Sequence, residues 1–130
     1  MPELPPIRIA ALLHAGLLVS DLARARTFYE SVLGLRLYPG RPELPYPGEW
    51  YDLGGGQQLH LMHLPNPDAG ATRPEHGGRD RHIALAVSNM DALKSRLDAA
   101  GVAYTASKSG RAALFCRDPD MNTLEFVEVS

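Results

Sequence analysis

A segment that occurs twice constrains the fold of this 130-residue chain more than any other feature. The first copy, HAGLLVSDLARA, begins at His14, and the second, HIALAVSNMDAL, begins 68 positions later at His82. Similarity within one chain at a fixed distance indicates that a structural unit has been repeated. A chain of this length has the usual size of one domain, so we expect two similar halves within a single domain.

Each half is predicted to contain one amphipathic helix. Apolar residues recur every three or four positions after each copy, which is typical of a helix with one buried face. These positions are Leu22, Ala25, Tyr29 and Val32 in the first half and Met90, Leu93, Leu97 and Ala100 in the second. Ser20 and Ser88 are predicted to cap the helix N-termini, and Gly34 and Gly101 to end the helices in the left-handed conformation.

Short runs rich in Leu, Ile and Val surround each helix and predict strands. One strand precedes each helix and three follow it, so each half is predicted to be a βαβββ module. The predicted strands span roughly 11–19, 35–38, 49–53 and 58–64 in the first module and 81–87, 102–105, 111–116 and 123–129 in the second. Module one covers about 10–64 and module two about 81–130. The Pro- and Gly-rich segment 65–80 between them is predicted to be a linker or a loop over an active site.

The alternation of side chains along a strand predicts which residues share a surface. The bulky side chains that alternate after His82 need the cover of the following helix, so His82 is expected on the opposite, open face beside small alanines. The same reasoning places His14 on the open face of module one. On the last strands of the two modules it places His60 and Glu125 there. If the first and last strands are neighbours, these four polar side chains meet at one point.

Three imidazoles and one carboxylate on a surface of small residues predict a divalent metal site formed by His14, His60, His82 and Glu125. Polar groups removed from water need partners, and a metal ion supplies one. This donor set suits Zn, Ni, Co, Fe or Mn, and the ligands alone do not choose among them. A single histidine on a strand is more often an ordinary hydrogen-bonded residue, but these histidines occupy equivalent positions of the repeat. His63 is out of phase with His60 and is excluded.

Composition excludes several other classes of function. A net charge of -2 lacks the basic excess that a nucleic-acid partner requires, and the chain contains no apolar run long enough to span a membrane. The single cysteine, Cys116, is expected to pack in the interior. The first residues lack the pattern of a secretory signal, so a cytoplasmic location is expected.

The order of these motifs resembles the vicinal oxygen chelate superfamily, which includes glyoxalase I, bleomycin-resistance proteins and extradiol dioxygenases. The resemblance rests on HAGLLVSDL from His14, FYESVLGL from Phe28, RHIALAV from Arg81 and DPDMNTLE from Asp118. It implies an α+β fold in which two βαβββ modules form a curved mixed sheet, or half-barrel, around a metal that chelates neighbouring oxygens of a substrate. In the turn after Asp118, Asn122 is expected to take the left-handed conformation that glycine has in the family.

The resemblance implies a metal-dependent enzyme of the glyoxalase-like branch. Such a lyase or isomerase performs proton transfer or addition–elimination on a small oxygenated substrate, because a metal at two adjacent oxygens stabilises developing negative charge. Glu125 is the candidate catalytic base, and purely structural ligation is the alternative role. Two other functions stay open, namely an Fe(II) dioxygenase of the ring-cleaving type and a module that sequesters a ligand without catalysis, as in bleomycin resistance. The positions that hold glutathione in glyoxalase I correspond here to Leu18 and Leu64, which favours a different substrate.

Three residues outside the metal set are predicted to contact a small, anionic substrate. Trp50 is expected to form a wall of the pocket, and Arg79 and Arg111 to bind the negative charge together with Lys108, although a solvated charge is the ordinary role of such residues. Open sheet edges predict a homodimer. Segment 65–80 is long enough for module one of one chain to pair with module two of another, so the metal site is expected either within one chain or shared between two.

Overall fold

The computed structural model describes residues 2–107 and 109–129. It contains two four-stranded mixed sheets with helices packed against them, and neither sheet closes into a barrel. The predicted α+β fold of two βαβββ modules is confirmed. Lys108, one of the residues predicted to meet an anion, lies outside the described residues.

The elements follow one another in the same order in both modules. Module one consists of β1 (His14–Leu18), α1 (Leu22–Arg26), a π-helix (Thr27–Val32), β2 (Arg36–Leu37), β3 (Gly48–Gly54) and β4 (Gln57–Met62). After a 3₁₀ turn (Gly77–Arg79), module two consists of β5 (His82–Val87), α2 (Met90–Ala99), β6 (Tyr104–Ala106), β7 (Ala113–Arg117) and β8 (Thr123–Glu128).

The first and last strands of each module are neighbours, which is the condition under which the four polar side chains were expected to meet. The strand orders are β1-β4-β3-β2 and β5-β8-β7-β6, and the β1–β4 and β5–β8 pairs are parallel. Gly16 lies opposite His60, and Ala84 lies opposite Glu125. Because side chains alternate along a strand, His14 shares a face with His60, and His82 shares a face with Glu125.

The helix caps differ from the prediction by one residue. The side chain of Asp21 accepts a hydrogen bond from the Arg24 N–H, and the side chain of Asn89 accepts one from the Ala92 N–H. Ser20 and Ser88 are therefore not the caps, because each helix begins one residue later than expected and the cap must stand directly before it. Gly34 and Gly101 have the predicted left-handed backbone, with φ angles of 75° and 69°.

The helical region of module one ends in a widened turn. The Leu33 N–H donates to the carbonyl of Phe28, five residues earlier, at 3.0 Å. Module one has one more residue between its helix start and Gly34 than module two has before Gly101. A π-turn takes up such an extra residue without breaking the helix, so both helices still end at an equivalent glycine.

The turn that follows Asp118 corrects another prediction. Met121, and not Asn122, has the left-handed backbone, with a φ of 68°. The amide of Asn122 donates to the Leu18 carbonyl at 3.0 Å and to Asp118 Oδ2 at 2.9 Å. These bonds fix Asn122 in position and move the strained conformation to its neighbour.

Buried side chains between helices and sheets form the core and also join the modules. Tyr29, which follows α1, donates its hydroxyl to Asp118 Oδ2 at 2.7 Å, and both side chains are buried. Burial raises the pKa of the Tyr29 hydroxyl and of the Asp118 carboxyl. A hydrogen bond of this kind stabilises the contact because neither polar group meets water.

Segment 65–80 is fastened to module two rather than extended freely from it. Asp80 accepts hydrogen bonds from Arg73 and from Arg117, each at 2.8 Å. Arg117 also donates to the Pro74 carbonyl at 2.6 Å. Gly77 lies so close to β8 that an added Cβ would meet the Thr123 methyl carbon at 2.6 Å.

The residues that precede β1 are exposed despite their apolar character. Five large apolar side chains, those of Leu4, Ile7, Ile9, Leu12 and Leu13, are each at least 66% exposed. A cluster of this kind on one segment is typical of a surface that another protein covers.

Candidate metal centre

The open face of module one carries a column of stacked rings. The ring of His60 lies between His14, at a centroid distance of 4.0 Å, and Trp50, at 3.9 Å. Tyr38 extends the column beyond Trp50 at 6.1 Å. The register explains the arrangement, because Trp50 on β3 lies directly opposite His60 on β4.

His60 is a neutral nitrogen donor at ordinary pH. Burial, followed by the charges of His14 and Arg41, lowers the pKa of its imidazole to about 4. Its Nε2 lies 2.8 Å from the amide oxygen of Gln58, which accepts the hydrogen bond. A neutral imidazole is the form that binds a metal ion.

The open face of module two carries an imidazole and a carboxylate in contact. Nδ1 of His82 donates to the Asp80 carbonyl at 2.8 Å, because a carbonyl can only accept. In the neutral ring Nε2 then carries a lone pair, and it lies 3.2 Å from Oε1 of Glu125. Two acceptors at this distance need a proton or a metal cation between them. The donor set of module two therefore fits a metal, with the Asp80 carbonyl fixing the ring.

Glu125 is buried, and both of its carboxylate oxygens are engaged. Its side chain is 5% exposed, and Oε2 lies 2.6 Å from Nη2 of Arg111. Phe115 lies opposite Glu125 on β7, and its ring packs edge-on against His82 at 5.3 Å. The carboxylate thus lies between one imidazole and one guanidinium on an otherwise apolar surface.

The four predicted ligands form two pairs in the chain. His14 contacts His60, and His82 contacts Glu125. Within residues 2–107 and 109–129, no three His, Cys, Asp or Glu side chains are grouped closely enough to hold a metal ion. Each pair supplies half of an N₃O donor set, so the residue types fit a metal while the grouping of all four stays a prediction.

The remaining predicted residues differ in how close they lie to the four candidate metal ligands. Trp50 lies on the same face as His60, whereas Tyr51 is buried on the helix side. Arg111 contacts Glu125, and Arg79 is exposed in the 3₁₀ turn before β5. The excluded His63 is exposed just beyond β4.

Sequence reasoning missed the residues that orient the ligands. Gln58 and Asp80 hold the two imidazoles, and Phe115 and Tyr38 extend the ring contacts. The repeat contains a signal for one of them. His60 and Glu125 are 65 positions apart, and the same distance relates Trp50 to Phe115.

The fold and the paired donors are those of the two-module proteins of the vicinal oxygen chelate class. The sequence profile of the Glyoxalase/Bleomycin resistance protein/Dioxygenase superfamily matches residues 11–126. The chain belongs to this superfamily, whose members generally use a divalent metal. None of the helices in the described part of the chain has the length and apolar character needed to cross a bilayer.

Individual relatives agree with this assignment. A lactoylglutathione lyase of Haemophilus influenzae is 32% identical over 124 residues, which cover 90% of this chain and 91% of that protein. The crystal structure of a glyoxalase family protein of Bacillus anthracis matches with a TM-score of 0.75 at 23% identity, covering 96% of this chain and 99% of that one. A lactoylglutathione lyase of Agrobacterium tumefaciens matches with a TM-score of 0.65 at 26% identity, covering 93% and 95%.

Proposed function

We propose that this chain is a glyoxalase-like enzyme of the lyase or isomerase type, acting on a small molecule with two adjacent oxygens. In this proposal His14, His60, His82 and Glu125 hold a divalent metal. The observation that carries it is the 3.2 Å contact between Nε2 of His82 and Oε1 of Glu125, in a ring whose other nitrogen is already committed to a carbonyl.

The metal site is shared between two copies of the chain in this proposal. Each chain carries one histidine pair and one His–Glu pair on open faces, and each pair alone has too few ligands for a stable site. The exposed apolar residues before β1 support a second copy as the partner that covers them. A twofold dimer would then contain two equivalent sites.

Glu125 is the proposed base of the reaction. When bound, the metal polarises the two substrate oxygens and makes a neighbouring C–H bond more acidic. Glu125 is the one carboxylate of the donor set, and its buried position keeps water away from the proton that it accepts. His14 and His60 bring no charge to the site when neutral, so the negative charge of the protein donors is concentrated on Glu125.

A ligand-sequestering module is the second candidate function. The column formed by Tyr38, Trp50, His60 and His14 favours it, because flat rings bind flat ligands by stacking without any reaction. The ring-cleaving dioxygenase differs from both candidates in requiring Fe(II) at the same ligands.

The proposed substrate is not a glutathione adduct. Leu18 and Leu64 stand where the family places the side chains that hold the charged ends of glutathione, and apolar residues cannot pair with those charges. Turnover of the adduct of methylglyoxal with glutathione at ordinary enzymatic rates would contradict this part of the proposal.

A complementation experiment tests the shared metal site. One variant, H14A/H60A, lacks the ligands of module one, and the other, H82A/E125Q, lacks those of module two. The two chains are co-expressed with different tags, and the mixed dimer is purified by both tags. Co²⁺ binding is then measured by titration and by the visible spectrum of the bound ion, with the H63A chain as the control.

The outcomes separate the candidate functions. We expect the wild-type protein to bind about one Co²⁺ per chain, each double variant to bind almost none, and the mixed dimer to regain about half of the wild-type amount. A mixed dimer without bound Co²⁺ would place any site within one chain. A wild-type protein that binds no metal after reconstitution would favour ligand sequestration, and oxygen-sensitive iron would favour the dioxygenase.

A further inference from the structure

Arg111 is the cation that pairs with Glu125. Its Nη2 lies 2.6 Å from Oε2 of Glu125, while its Nε donates to the Ser109 hydroxyl at 3.1 Å. The two partners differ in exposure, since the Arg111 side chain is 57% exposed and that of Glu125 only 5%. The guanidinium thus reaches the buried carboxylate from the solvent side.

A metal ion and Arg111 compete for the same carboxylate. A divalent cation bound by His82 and Glu125 draws the negative charge of Glu125 to itself and repels the guanidinium beside it. Among the described residues, Glu125 is the one carboxylate within salt-bridge distance of Arg111. A cation between Nε2 of His82 and Oε1 of Glu125 therefore weakens the ion pair that Oε2 makes with the guanidinium, whose long side chain is mostly in solvent.

The free guanidinium would lie beside the bound substrate. A substrate that chelates the metal replaces water next to Glu125, within a few ångströms of the present position of Nη2. Guanidinium groups bind carboxylates through paired, charge-assisted hydrogen bonds. Position 46, which is equivalent to Arg111 in module one, is a tyrosine, so this cation belongs to module two alone.

We propose that Arg111 holds Glu125 in the metal-free protein and binds a carboxylate of the substrate once the metal has taken Glu125. This inference rests on the proposed function and names its substrate class. The substrate carries two adjacent chelating oxygens and, a few carbons away, a carboxylate. The metal binds first, because only then is Arg111 released to the substrate.

The test compares R111Q and R111K with the wild-type protein. R36Q is the matched control, because Arg36 is an exposed arginine on β2 and its replacement changes the net charge equally. The first measurement is the Zn²⁺ affinity of the metal-free protein at pH 8, by competition with a chelator. The second is the affinity of the Zn²⁺-loaded protein for 2-oxoglutarate and for 2-oxopentanoate, which share the chelating end and the chain length but differ in the distal carboxylate.

In R111Q, Zn²⁺ should bind about fivefold more tightly than in the wild-type protein, because Glu125 no longer gives up an ion pair. The wild-type protein should prefer 2-oxoglutarate about tenfold, R111Q should show almost no preference, and R111K should keep part of it. The control R36Q should match the wild-type protein in both measurements.

Other results overturn the inference. If R111Q or R111K only lowers thermal stability and leaves the Zn²⁺ affinity and the preference unchanged, Arg111 is a structural partner of Glu125. If the wild-type protein binds Zn²⁺ but does not distinguish the two acids, the inference fails and the proposed function stands. If the wild-type protein binds no Zn²⁺, both fail together.

Discussion

The open faces of the two modules have the same backbone geometry and different chemistry. On module one, His14 and His60 lie in a column of rings with Trp50, and burial keeps His60 neutral. On module two, the equivalent positions carry His82 and Glu125, and an arginine neutralises the carboxylate. In the proposed metal site, the half-site of module one would supply imidazole nitrogens, and the half-site of module two would supply the carboxylate charge.

The helix-facing positions of the same strands are alike in burial, although their residue types differ. Tyr51 on β3 and Cys116 on β7 are equivalent in the repeat, both are buried, and burial raises the pKa of both groups. Helix-facing positions are thus buried in both modules, while the open faces carry different polar groups. This difference is what the proposed metal site on the open faces requires, because packing alone places no such demand on paired polar residues.

The largest expected effect is on the charged half-site. Glu125→Gln keeps the shape of the side chain and removes its charge, so metal affinity should fall by more than the ~10–100-fold that loss of an outer-shell partner costs. Isothermal titration with Zn²⁺ measures it, with H63A as the control. Unchanged affinity would show that Glu125 is not a ligand.

A smaller loss is expected on the neutral half-site. His60→Ala should weaken metal binding by at least the ~10–100-fold that loss of an outer-shell partner costs, but by less than Glu125→Gln, because one of three nitrogen donors is lost while the charge of the site is retained. His63→Ala should leave the affinity unchanged, since His63 lies out of phase with the open face. Equal losses in the two variants would contradict the assignment of the open face.

The contact between the modules can be compared with a contact inside one module. Tyr29→Phe leaves buried Asp118 without one hydrogen bond and should lower the free energy of unfolding by about 1–2 kcal/mol. Tyr51→Phe removes a bond to the partly exposed Glu30 and should cost less, because water replaces it. Urea denaturation of both variants checks the order. A larger loss for Tyr51→Phe would show that the link between the modules contributes little.

The smallest effect is expected at the buried helix-facing Cys116 of module two. Burial, together with the nearby charge of Asp118, raises the pKa of the Cys116 thiol to about 12. The thiol should therefore stay neutral and react very slowly with a disulfide reagent at pH 8 in the folded protein. Rapid reaction should appear only in guanidinium chloride, and rapid reaction of the native protein would contradict the burial of Cys116.

The sequence was sufficient to predict the two modules and the face on which each candidate ligand lies. Alternation along a strand depends only on the local chain, so the shared face of His14 and His60 and that of His82 and Glu125 were predicted correctly. The helix caps were wrong by one residue because Ser20-Asp21 and Ser88-Asn89 each offer two suitable capping side chains in succession.

Features that depend on contacts distant in sequence were not predicted. The amide of Asn122 bonds to the Leu18 carbonyl in the other module, and this contact decides which residue of the turn is left-handed. The ion pair between Arg111 and Glu125 likewise depends on how far β7 lies from the carboxylate. In the proposed function the two half-sites join across two copies of the chain, and no local pattern encodes how two surfaces dock.

The widened turn at Thr27–Val32 has a consequence for how such duplicated proteins evolve. An inserted amino acid in most helices rotates everything after it by about 100° and would turn the following strands away from their partners. Here the π-turn takes up the extra residue, and at Gly34 the backbone has the same left-handed conformation as at Gly101 in module two. The two modules can therefore differ in helix length while the strands that carry the candidate ligands keep equivalent positions.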